Sequence, residues 1–120
     1  MKRFLLGIFT GVALSALALA AQQLASDKVV TPEVIVENQK VKATRILLKP
    51  GEGTPLHTHS LDHIAVVVQG STMKSVSTDG KSNMVEEKTG EVVYVPANGR
   101  THSLANIGNS TLEIVSIDLK

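Results

Sequence analysis

The chain is 120 residues long, with 42% apolar residues, only one tyrosine and two phenylalanines as aromatics, no cysteine, and a formal net charge of +1. That length closes one domain at most. Missing cysteines exclude disulfides, thiol catalysis and cysteine zinc sites, and near-neutral charge without a lysine/arginine cluster leaves no footprint for nucleic acid.

In chain order, Lys2 and Arg3 precede an apolar run from Phe4 to Ala21 broken only by glycine, Thr10 and Ser15, and Ala18-Leu19-Ala20 offers the small residues of a signal-peptidase site. Residues 1–20 are read as a signal peptide, which predicts an exported chain, periplasmic or secreted, free of the membrane once the leader is removed. An uncleaved anchor is the competing reading, because about 18 apolar residues approach spanning length. The polar Gln22-Gln23 that follows favours cleavage. Without the leader, ten basic residues face eleven acidic ones, for a net charge of −1, and Tyr94 is the sole aromatic. Residues 21–28 form a polar, flexible lead-in. Residues 29–120 are a single domain whose core must come from Val, Ile and Leu, residues that favour strands.

Short β-branched runs separated by turn residues then fill the chain, the spacing of an all-β sandwich or barrel. They are Val34–Val36, Val41–Lys49, His63–Gln69, Met73–Ser77, Asn83–Glu87, Glu91–Val95, His102–Asn106 and Thr111–Asp118. No window after residue 21 has sustained helical periodicity. Asp79-Gly80 predicts a hairpin turn of the primed type, with positive φ at both positions. Gly51, Gly70 and Gly90 are expected at turns needing positive φ, and Pro96 at a turn after a strand.

All four histidines fall between His57 and His102. On an extended chain His57 and His59 leave the same face, and His63 keeps that parity if the strand runs unbroken, with Asp62 opposite. Ala65 and Val67 continue the inward row. Three inward imidazoles are costly without partners, and one divalent cation is a partner all can share. His102, after a separate turn, can complete the set from a facing strand. The competing reading is a hydrogen-bonded core histidine and an idle surface pair.

The stretch from Gly51 to Gly70, with His57, His59 and His63 between, resembles the first cupin motif, G-x5-H-x-H-x3-E-x6-G, at every spacing. The stretch from Gly90 to Asn106 resembles the second, G-x5-P-x-G-x2-H-x3-N, with one extra residue between Pro96 and Gly99. This resemblance to the cupin superfamily covers essentially all of residues 29–120. It implies a double-stranded β-helix, or jelly-roll barrel, often paired as a homodimer, and a mononuclear site in which His57, His59 and His102 are metal ligands. His63 stands where the family has glutamate. As a fourth ligand it replaces a negative donor with a neutral one, which predicts a more electrophilic metal and a weaker hold on hard ions. An all-nitrogen set suits one divalent transition metal per chain, Fe, Mn, Zn, Ni, Cu or Co, with no choice among them.

Two functions follow. One is an enzyme acting on a small organic molecule, with dioxygenase-like or Lewis-acid chemistry, because four ligands on a six-coordinate ion leave about two open positions. With all histidines ligating, a base would have to be Glu52, Glu113, Tyr94 or metal-bound hydroxide. The other is a non-catalytic cupin that binds or senses a metal or small metabolite, favoured by the short chain and the lack of a long lid loop. A degenerate barrel without metal is a third reading. Arg45, Arg100, Glu52 and Glu113 are expected on a solvated face, Asn106 in a hydrogen-bonding role, and Tyr94 in packing. Val66 and Val68 are buried only if a second sheet or a dimer partner covers them. Histidine ligation also predicts metal affinity that falls on acidification toward pH 5.

Overall fold

The computed structural model describes residues 28–120. The proposed signal peptide and residues 21–27 of the lead-in lie outside the described residues, and Lys28 already belongs to a strand.

Eleven strands and no helix make up the described residues. They are β1 (Lys28–Val29), β2 (Glu33–Glu37), β3 (Val41–Leu48), β4 (Glu52–Gly53), β5 (His57–Thr58), β6 (His63–Gln69), β7 (Thr72–Ser77), β8 (Ser82–Glu86), β9 (Val92–Val95), β10 (Thr101–Asn106) and β11 (Leu112–Leu119). The eight expected runs match β2, β3 and β6 to β11 within a residue or two at each end. β1, β4 and β5 were not foreseen. Each has only two residues, and it is a strand because a partner accepts it, which no local pattern records.

Two sheets face each other as in a jelly roll. One runs β1-β4-β10-β7-β8, with β5 also paired to β10; the other runs β2-β3-β11-β6-β9. Only the β1–β4 pair is parallel. The core forms where the inner faces meet. Ile46, Leu48, Val67, Leu112 and Ile114 from one sheet pack on Met73 and Leu104 from the other. Each is a Val, Ile, Leu or Met at an inward position of an alternating strand, so the core is aliphatic throughout.

Two turn expectations need correction. At the β7–β8 hairpin Gly80 has φ 84°, but no non-glycine residue among those described has positive φ, so Asp79 does not adopt the primed conformation. Gly80 N–H donates to Ser77 O at 3.0 Å and Ser77 N–H to Lys81 O at 2.8 Å. This is a three-residue loop in which a normal turn is followed by a left-handed glycine. Lys81 N–H also donates to Asp79 Oδ1 at 2.9 Å, which secures the turn from the side chain. Gly51 and Gly90 do have positive φ, whereas Gly70 does not. Gly70 is required by close approach instead, because a Cβ there would stand 2.0 Å from Glu87 O.

A third correction bears on the site. The chain from His57 to His63 is not one strand. β5 belongs to the β10 sheet, residues 59–62 cross over, and β6 opens in the opposite sheet at His63. Asp62 secures the crossing: its carboxylate accepts from Tyr94 O–H and, at 2.8 Å, from Ala97 N–H. Tyr94, between inward Val93 and Val95, points outward and serves this clamp.

Candidate metal centre

The β5–β10 ladder assembles the histidines. His57 is paired directly with His102, and Thr58 with Thr101. Directly opposed residues project side by side, so two histidines 45 positions apart in sequence meet with ring centroids 4.7 Å apart. His59 lies two residues beyond His57. Its N–H donates to Arg100 O at 3.3 Å and its C=O accepts from Gly99 N–H at 3.0 Å, which extends the ladder past the end of β5. The loop with the extra residue, from Pro96 to Gly99, therefore braces His59. Within that loop, Asn98 Oδ1 accepts from Arg100 N–H at 2.8 Å.

His57, His59 and His102 form a three-histidine group whose ligating nitrogens all lie within 4.8 Å of one another. His57 Nδ1 is 2.9 Å from Pro55 O. A carbonyl only accepts, so Nδ1 carries the hydrogen and Nε2 presents a lone pair. His59 Nε2 and His102 Nε2 are 2.8 Å apart. Two imidazole nitrogens at adjacent positions on one ion, each about 2.0–2.1 Å from it, stand about 3 Å apart. His102 Nδ1 is 3.0 Å from Ser75 Oγ and 2.9 Å from Arg100 Nη2.

His63 comes from the other sheet and is not part of the three-histidine group. Its ring stacks on His59 with centroids 4.4 Å apart and planes 21° from parallel. It is buried, and its Nδ1 has no hydrogen-bond partner. A buried imidazole nitrogen without a well-formed hydrogen bond can serve a ligand, although the Leu61 backbone also draws on this ring.

Electrostatics favour the neutral form of His59, His63 and His102. Burial, followed by the neighbouring His63 and His57, lowers the His59 pKa to about 4. Burial, followed by His57, His59 and Arg100, lowers that of His102 to about 3. Burial also lowers His63, against the opposing pull of Asp118. Neutral imidazoles are the metal-binding form. The lone pair on His57, the spacing of His59 and His102, and the orphaned His63 nitrogen together fit a divalent transition metal of the nitrogen-preferring kind.

The cluster opens into a cavity of about 320 Å³ between the sheets. His57, His59, His63 and His102 line one part, Ala65, Met73, Leu104 and Ile114 supply apolar walls, and Glu87, Asn98 and Arg100 add polar groups. A second cavity of about 320 Å³ shares Ile46, His57, His59 and Ser116 with it and reaches Asp118.

The side-chain bases expected from sequence do not line either cavity. Glu52 pairs with Lys28 at 3.6 Å, Glu113 with Arg45 at 3.7 Å, and Tyr94 is exposed. Glu87 lines the first cavity instead, and burial followed by the Glu91 charge raises its pKa. Parity held the signal: Val85 packs against the core, and Glu87 is two residues further along the same chain. Arg100 is exposed, as expected, and also lines the mouth of this cavity. Ser75 is buried against His102, and nothing in its local sequence marks it out.

The residues 44–118 match the model of the cupin domain family. A cupin domain from Bordetella pertussis Tohama I is similar at 27% identity, covering 74% of this chain and 91% of its own, with a TM-score of 0.67. A cupin family protein with a double-stranded β-helix fold from Methanocaldococcus jannaschii is similar at 25% identity, covering 73% and 77%, with a TM-score of 0.59. No protein of curated function matches the chain.

Proposed function

The chain belongs to the cupin family, and from that premise we propose that it is an exported, metal-dependent enzyme acting on a small organic molecule in the cavity beside His57, His59 and His102. The observation that carries this reading is a metal-fitting histidine cluster that opens into a cleft also lined by a carboxyl with a raised pKa, Glu87. Sites that combine a polar cluster, apolar walls and a perturbed acid are where chemistry concentrates. Export rests on the apolar run behind Lys2 and Arg3.

His57, His59 and His102 would hold the ion, with His63 as the fourth donor in the family's glutamate position. The ion would supply Lewis-acid polarisation of a substrate oxygen or, if redox-active, dioxygenase-like oxidation. The apolar walls exclude water and orient the hydrocarbon part of the substrate. Glu87 would move a proton, because burial and the Glu91 charge raise its pKa and so ease its protonation within the cavity. A homodimer belongs to the same proposal. Leu47, Val68, Val92 and Tyr94 are exposed on the β2-β3-β11-β6-β9 sheet; the strand alternation turns them away from the interior, and a second copy would cover them.

The test begins with metal content. Untagged protein lacking residues 1–20 should carry about one equivalent of a transition metal by mass spectrometry after reconstitution, and less than about 0.2 would overturn the metal reading. Oxygen uptake and product formation across diketones, catechols and hydroxy acids then separate enzyme from binder. Turnover lost in Glu87→Gln with metal retained supports the proposal. Tight binding of one compound without turnover supports the alternative, a cupin that binds or senses a metabolite.

A further inference from the structure

Arg100 has no carboxylate partner among the described residues. The ion pairs found there involve Lys28, Arg45 and Lys120. Its side-chain contacts are to neutral groups: Nη2 is 2.9 Å from His102 Nδ1 and 3.2 Å from Ser75 Oγ. An unpaired guanidinium at the edge of a cavity is a fork of donors waiting for an acceptor.

Guanidinium nitrogens only donate, so His102 Nδ1 must be the bare, accepting nitrogen. The ring hydrogen is then on Nε2, which donates to His59 Nε2 across 2.8 Å. A histidine cannot ligate a metal through a nitrogen that carries hydrogen. For Nε2 to ligate, the hydrogen must sit on Nδ1. Ser75 Oγ, 3.0 Å away, can accept it there, but Arg100 cannot, because two donors would face each other. Metal at His102 and Arg100 on His102 are mutually exclusive.

Resting on the metal-centre reading above, we infer that Arg100 is the anion-binding residue of this site, held on His102 in the metal-free chain and released to a small monocarboxylate ligand when metal takes His102 Nε2. The monoanion follows from the lining. Arg100 is the one lysine or arginine in the lining, and its planar fork of donors matches a single carboxylate. The volume of about 320 Å³ and the apolar walls of Ala65, Met73, Leu104 and Ile114 suit a ligand with a short hydrocarbon body. Arg100 also borders a surface depression that holds Asp79, which gives a released guanidinium a competing destination.

The experiment uses zinc, pyruvate and its neutral analogue pyruvamide, with wild type, Arg100→Gln and Arg100→Lys. Zinc uptake by wild type is measured first; its absence overturns the metal reading together with this one. In zinc-loaded protein, calorimetry should show pyruvate binding about tenfold weaker in Arg100→Gln, partly restored in Arg100→Lys, with pyruvamide unchanged across all three. Nitrogen-15 NMR of the imidazoles should place the His102 hydrogen on Nε2 in the metal-free wild type and on Nδ1 with zinc. Normal zinc uptake with equal pyruvate affinity in wild type and Arg100→Gln would overturn the Arg100 assignment alone, as would a released guanidinium that pairs with Asp79 and leaves pyruvate unbound. A His102 hydrogen on Nδ1 without zinc would overturn the exclusion between the two contacts.

Discussion

Asn106 and His102 lie on the same strand, four residues apart, or about 13 Å along it, and both are buried. The two ends of the barrel to which they belong treat burial differently. Asn106 is 0% exposed and fully engaged. Its Oδ1 accepts from Ser71 Oγ at 2.8 Å and Gly108 N–H at 3.0 Å, while Nδ2 donates to Leu48 O at 2.9 Å and Ser110 O at 2.7 Å. It ties β3, the start of β7, β10 and the turn before β11 into one end of the barrel. At the other end, imidazoles crowd with ring centroids 4.4 to 4.9 Å apart, His63 Nδ1 is unpaired, and protonation is suppressed. A polar group whose partners are all within the chain stabilises it, whereas one left wanting partners binds something else.

That contrast can be broken by mutation at each end. The largest effect is expected at the closed end: Asn106→Ala strands four hydrogen-bond partners and should destabilise the fold by about 3 kcal/mol, with metal stoichiometry in the surviving folded fraction unchanged. Denaturant unfolding checks it, and a loss below about 1 kcal/mol would remove the structural role. Next is His102→Ala, which should weaken metal binding by about 100-fold or more, measured against a competing chelator. Its metal-free stability should fall less than in Asn106→Ala, because His102 gives up three contacts beside an open cavity rather than four in a closed one.

Acid sharpens the difference further. The fold holds His59 and His102 neutral to about 4 and about 3, whereas imidazoles in the unfolded chain protonate near 6.5. Between those values the unfolded chain binds more protons, so metal-free stability should be present above pH 6.5 and lost progressively as pH falls toward about 3. His102→Ala should flatten that slope and Asn106→Ala should leave it unchanged, which a series of unfolding curves would show. The same depressed values mean that protons compete for His59 and His102 at lower pH than free imidazoles would, so the acid loss of metal expected from sequence shifts downward for these two ligands. The smallest change is Ser75→Ala. Removing the hydroxyl that can accept the His102 Nδ1 hydrogen should cost about tenfold in metal affinity with little change in stability. Equal affinity would mean that another group orients the ring.

Much of this end of the barrel was legible in the residues themselves. The H-x-H spacing put His57 and His59 on one face, the second motif supplied His102, and the row His63, Ala65, Val67 points inward as alternation requires. The same rule would have marked Glu87 through Val85, had the end of β8 been followed inward. Arg100 and Ser75 escaped because their roles depend on a ring nitrogen of His102 that they reach across space, from a loop and from a neighbouring strand.

The sequence by itself determined an all-β domain, its eight principal strands and the four histidines that matter, because alternation and turn chemistry are local and survive in the order of residues. Only the tertiary structure decided that His57 pairs with His102, that His63 arrives from the opposite sheet after the chain crosses over, and that Glu87 and Arg100 face the same space. Those facts depend on which strands accept one another as neighbours. Strand pairing is a long-range choice made by packing and hydrogen bonding together, and no window of the chain contains it.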